Sequence, residues 1–130
     1  MKQMLNNSYT YVFATVLFTV TSQLLIKWKM STKYMDLPEL ISAKIIFFIK
    51  VLIDPFILLA IFFILLSGVF WMIAMTKFEL SGVYPMVVAG LMLLTSISST
   101  VLFSETINYY KVIGIIVILI GVLILYKGNR

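Results

Sequence analysis

Few side chains in this sequence could do chemistry in a nonpolar setting, and their spacing is ordered. Tyr11, Thr15 and Thr19, followed by Ser22 or Gln23, recur at the i, i+4, i+8 interval that puts residues on one helix face. Hydroxyls and an amide in such a stripe either pack helices together or line a polar path. Lys27-Trp28-Lys29 follows, two ammonium groups and an indole at the end of an apolar run. That triplet suits an interfacial anchor, and its lysines are also the nearest cations for a phosphate. Trp71 and Tyr84 flank a short turn, where a ring could stack and a phenol could hydrogen-bond. Glu105 stands beside a later apolar run, open to gating, to helix capping or to an ion pair with Lys111. With Thr15, Thr19, Gln23, Lys27, Trp71 and Tyr84 as candidate substrate-binding residues, the chemistry on offer is recognition of a hydroxyl-rich, anionic ligand.

Covalent and acid–base chemistry is poorly served. The chain has no histidine and no cysteine, and none of its five acids lies inside an apolar run. Triads and the usual transition-metal sites therefore lack their commonest parts. No catalytic residue, metal ligand or cofactor site is expected, and the chain is not expected to be an enzyme.

The elements that must position these residues are membrane helices. Hydrophobic residues make up 62% of the 130 residues and charged ones 12%, too apolar a chain for a soluble core of this size. The expected fold is a single domain, an all-α membrane protein with four transmembrane helices at about 9–28, 55–76, 80–104 and 109–126. Polar residues and Pro38 end the first span. The next segment, about 39–53, carries Lys44 and Lys50 and reads as a short interfacial helix, because two buried lysines would cost about 2.5–3.5 kcal/mol each. Asp54-Pro55 then marks a helix start, aspartate as N-cap and proline at the first helical position.

The second and third spans form a tight hairpin over Phe70–Met86, whose turn holds Lys77 and Glu79. Pro85 is expected in the first turn of the third span, where its missing N–H costs nothing. The Ala89-Gly90 step allows a close backbone approach or a bend. A net charge of +5, spread between and beyond the apolar runs, suits lipid headgroups or phosphates rather than nucleic acid. Lys2, Lys77, Lys127 and Arg130 face Lys27, Lys29, Lys33, Lys44, Lys50 and Lys111 across the membrane, too even a balance to fix orientation.

With four spans located, the chain resembles the small multidrug resistance type of four-helix transporter within the drug/metabolite transporter superfamily. The resemblance rests on Ser22-Gln23-Leu24-Leu25-Ile26-Lys27, Phe70-Trp71, Gly82-Val83-Tyr84-Pro85, Phe103-Ser104-Glu105, and Gly114 with Gly121. It implies a bacterial inner-membrane, multi-pass location and a homodimer, or a heterodimer with a similar subunit, joined through Gly114 and Gly121 on the fourth span. The drug exporters carry a glutamate in the first helix, and the corresponding position here is Thr19, which cannot exchange a proton for a cation. The pattern is closer to the subunits that flip undecaprenyl-phosphate-linked aminoarabinose, with Gln23, a short second loop and Val83-Tyr84-Pro85, although Glu79 and Val83 replace that branch's usual proline and alanine.

The leading expectation is thus a flippase or exporter of a polyprenyl-phosphate-linked sugar. A proton-coupled exporter of small cationic or polar compounds, with Glu105 as coupling acid, is the alternative. A non-transporting accessory subunit of a membrane glycosyltransferase is the third.

Overall fold

In the computed structural model the backbone is described for residues 2–34 and 36–128, and side chains from residue 8 onward within that range. Lys2 therefore contributes backbone only, and Arg130 lies outside the described residues. Among the described residues every element is a helix: α1 (Lys2–Lys33), α2 (Ile41–Ile53), α3 (Pro55–Met75), α4 (Leu80–Phe103) and α5 (Tyr109–Gly128). Within α1 the stretch Ser8–Lys33, and α3, α4 and α5 in full, are long and apolar enough to cross a membrane. The chain is a multi-pass membrane protein in fold.

α1 runs further than the sequence suggested, because Ser31 and Thr32 do not break it. Their hydroxyls donate back to the Trp28 carbonyl at 3.0 and 2.8 Å, supplying acceptors at the helix end with partners. α3 begins as its sequence requires: the Asp54 side chain accepts from the Phe56 N–H at 3.1 Å, with Pro55 opening the helix. α5 is capped by Asn108, whose side chain accepts from the Tyr110 N–H at 3.4 Å. Glu105 does not serve as that cap.

One expectation is corrected at Pro85. α4 starts at Leu80, so Pro85 is an interior residue of the second turn, not of the first. The Ser81 carbonyl consequently receives no i+4 bond, a local fault that a first-turn proline would not create.

The bundle is organised on α1. Val12, Val16 and Val20, four apart, form its buried stripe and pack with Ala74 of α3 and Val83 and Val87 of α4. A neighbouring face of α1 meets α3 through stacked rings, Phe18 on Phe63 and Phe70 at 5.7 and 5.4 Å. The α1–α4 approach is close at Gly90, where a Cβ would lie 3.3 Å from both Cγ atoms of Val16. That close approach is the use of the Ala89-Gly90 step, since helices in lipid associate by packing rather than by hydrophobic exclusion. α5 packs chiefly on α4 and has no buried residue among those described.

Helix directions define two ends. The hairpin end holds the start of α1, the α3–α4 turn and the finish of α5, tied by Tyr9 against Phe78 at 4.9 Å and Tyr9 Oη to Tyr126 Oη at 3.4 Å. The opposite end, called the α2 end below, holds the finish of α1, α2, the start of α3 and the α4–α5 link.

Candidate functional site

The hydroxyl stripe of α1 divides. Thr15 is buried and donates to its own Tyr11 carbonyl at 2.9 Å. Ser67 of α3 donates to the Thr15 carbonyl at 3.1 Å, which spends its single proton. Thr19 must therefore be the donor in its 2.6 Å contact with Ser67. Thr15 and Thr19 thus bond within the α1–α3 seam. Ser22 continues the stripe inward, fully buried and without a hydrogen-bond partner among the described residues. Gln23 instead turns outward into a cavity.

That cavity, of about 520 Å³, lies between α1, α4 and α5 at the α2 end. Its polar lining brings Gln23 and Lys27 together with Glu105, Lys111 and the α4 hydroxyls Thr95, Ser96, Ser99 and Thr100. Its other wall is apolar, with Leu93, Ile97, Ile107, Val112, Ile115, Ile116 and Leu119. Lys27 pairs with Glu105, and its ammonium also sits 4.8 Å from the centre of the Phe103 ring. Glu105 thus pairs with the end of α1 rather than with Lys111, which lines the same cavity.

The backbone makes that pairing possible. Ser104 ends α4 in the left-handed conformation at φ 53°, ψ 33°, the one non-glycine residue with positive φ among those described. The N–H groups of Ser104 and Glu105 both turn back to the Ser99 carbonyl, a C-terminal cap usually built on glycine. The reversal points Glu105 across the cavity mouth toward α1.

The hydroxyls have a definite polarity. Thr95 donates to the Leu91 carbonyl at 2.6 Å, and Ser99 and Thr100 donate to the Ser96 carbonyl at 3.1 and 2.9 Å. Each has one proton, so what these three offer the cavity is lone pairs. Donors come from the other side, from Lys27, Lys111 and the Gln23 amide. On the α4 wall Thr95, Ser99 and Thr100 accept, and the α1 and α5 edges donate.

Trp71 and Tyr84 are elsewhere. Their rings meet edge to face at 6.0 Å and line a more open cavity of about 780 Å³ with Leu80, Ser81 and Pro85. Trp71, like Tyr11, packs against the buried core cluster, whereas Tyr84 is exposed. This is the hairpin end, and Tyr11 and Lys27 are separated by about 24 Å of helix at ~1.5 Å per residue. The six candidate binding residues therefore fall into a seam and two cavities. Among the described residues nothing lies within 4 Å of where a Cβ would stand on Gly114 or Gly121, so these residues leave their faces of α5 uncovered.

Sequence reasoning missed Ser96, Ser99 and Thr100 as lining, although the run Thr95-Ser96-Ile97-Ser98-Ser99-Thr100 was a visible concentration of hydroxyls. It also missed the partners of Asp54. The Asp54 side chain, 1% exposed, receives Lys33 at 3.1 Å, Lys29 at 3.4 Å and the Tyr34 hydroxyl at 3.2 Å. Burial pushes its carboxyl up, but the Lys33 ammonium, the Phe56 N–H, the Tyr34 hydroxyl and Lys29 outweigh that and hold it at about 2. This cluster locks the finish of α1 to the start of α3. No metal-binding cluster of His, Cys, Asp and Glu occurs among the described residues. No protein-family model, curated protein or solved structure matches the chain.

Proposed function

We propose that the chain is a transporter subunit that moves a polyprenyl-phosphate-linked sugar across a bacterial inner membrane. The observation that carries this reading is one cavity combining two lysines, a rim of acceptor oxygens and an apolar wall. A phosphate would take Lys27 and Lys111, sugar hydroxyls would donate to Thr95, Ser99 and Thr100, and a prenyl chain would lie along Ile107, Val112, Ile115 and Leu119. Three of the four rim hydroxyls have no spare proton, which favours a ligand rich in donors, as a sugar is. The Lys27–Glu105 pair must open as the phosphate binds, since both anions want the same ammonium. Its existence also weighs against Glu105 as the free acid of a proton-coupled cation exporter.

In this reading α2 lies in the membrane interface, and two subunits meet through α5 at Gly114 and Gly121, where small residues permit close helix contact. Trp71 and Tyr84 would meet the sugar only at the far side of the membrane. The test is reconstitution in liposomes with a labelled lipid-linked sugar. Leaflet exchange faster than in protein-free vesicles is expected, and exchange no faster than theirs overturns the proposal.

A further inference from the structure

We propose that α2 is a docking surface for anionic phospholipid headgroups, held through Lys44 and Lys50, an inference that rests on the interfacial placement of this helix. At 13 residues α2 is about 20 Å long, too short for ~30 Å of hydrocarbon. Its two neighbours, α1 and α3, reach the membrane surface at the same end, so it lies beside that surface whichever way the protein inserts. It has no buried residue.

The distribution of its side chains says what covers it. Ala43, Phe47 and Val51, four apart, are the half-buried residues, and they form the stripe turned toward the rest of the chain. Phe47 packs edge to face on Tyr34 at 5.5 Å, and the Tyr34 hydroxyl donates to the Lys50 carbonyl at 3.5 Å. The opposite arc carries Ile41, Ile45, Phe48, Ile49 and Leu52, each more than half exposed. At about 100° per residue, Lys44 and Lys50 stand about 60° to either side of the covered stripe, one at each border of the apolar arc. On a helix with no covered stripe, two lysines some 120° apart would make an untidy polar face. They are instead symmetric about the stripe, so with the apolar arc down in the acyl chains both ammonium groups reach headgroup level.

Charge selects the lipid. Lys27, Lys29 and Lys33 already have carboxylate partners, whereas among the described residues neither Lys44 nor Lys50 belongs to an ion pair. No acid occurs within Ile41–Ile53, and Asp36 and Glu39 are confined to the loop before it. The two unneutralised cations suit phosphodiesters, with an advantage of about fivefold per lysine over a zwitterionic surface.

Because the chain has no cysteine, Ile49→Cys gives a unique label at the centre of the apolar arc. The labelled full chain is reconstituted with trace brominated phosphatidylglycerol or, separately, trace brominated phosphatidylcholine, and quenching of an attached fluorophore is read. Quenching by the anionic lipid at a severalfold lower mole fraction, with the two curves merging in Lys44→Gln/Lys50→Gln and at high salt, is the expected result. Equal quenching by both lipids in the unaltered helix overturns the docking proposal while leaving α2 in the interface. Absence of quenching by either overturns the interfacial placement and, with it, the docking.

Discussion

Gly90 offers a sharp test of the packing that holds the bundle together. A Cβ there would stand 3.3 Å from both Val16 Cγ atoms and 3.9 Å from the Val16 Cβ. Ordinary carbon contacts lie at about 3.5–4.0 Å, so the overlap is a few tenths of an ångström and comes entirely from the two γ-methyls. Gly90→Ala gains about 0.8–1 kcal/mol of helix propensity against a strain of similar size, and a net change within about 1 kcal/mol is expected. Gly90→Leu has no such offset and should cost about 1–3 kcal/mol or more. Val16→Ala removes both γ-methyls and leaves ordinary contact with the new Cβ, so the Gly90→Ala/Val16→Ala pair should be more stable than the sum of the single changes by about 0.5–1 kcal/mol. The assay is reversible unfolding by sodium dodecyl sulfate in mixed micelles, followed by circular dichroism. A Gly90→Leu protein as stable as the parent, or a double variant with no favourable coupling, would refute the α1–α4 contact.

The seam, the linker and the corner give three further expectations. Ser67→Ala leaves the Thr19 hydroxyl without its acceptor, and in the same assay should cost about 0.6 kcal/mol, at most about 1.7. Ser104→Gly should stabilise slightly and Ser104→Val should destabilise by about 1–2 kcal/mol, since a β-branched residue resists positive φ; equal stability of both would remove the left-handed cap from the account. Asp54 is held at about 2, below its ordinary 3.8, so its contribution is fully present above about pH 4 and is lost as pH falls through 2. The infrared carboxylate signal removed by Asp54→Asn should accordingly persist at pH 3, and loss of most of it by pH 3 would contradict the cluster.

Much of this architecture was legible because each span carries its own signals. Asp54-Pro55 announced α3, and charge-free runs bounded α3 and α4 to within a residue of where they end. Partners were harder to read. Periodicity puts Thr15 and Thr19 on one face, but that Ser67 of α3 takes both depends on the vertical register of two helices, which no spacing records. The Lys27–Glu105 pair depends on a left-handed serine, a backbone state that residue type does not favour. The separation of Trp71 and Tyr84 from Gln23 and Lys27 was readable in principle. Antiparallel alternation puts the finish of α3 level with the start of α1, away from its Lys27 end, a separation that residue spacing within one helix does not record. Lys44 and Lys50 became interpretable only once Tyr34 showed which face of α2 the protein covers.

The most direct test of the central claim is the rate at which a labelled polyprenyl-phosphate-linked sugar changes leaflet in proteoliposomes, compared between the parent chain and Lys27→Gln/Lys111→Gln. Both lysines are exposed at the cavity, so the variant should insert and fold as the parent does. The account predicts exchange well above protein-free vesicles for the parent and a drop of at least tenfold in the variant. Exchange by the parent at the protein-free rate, or undiminished exchange in the variant, would contradict it.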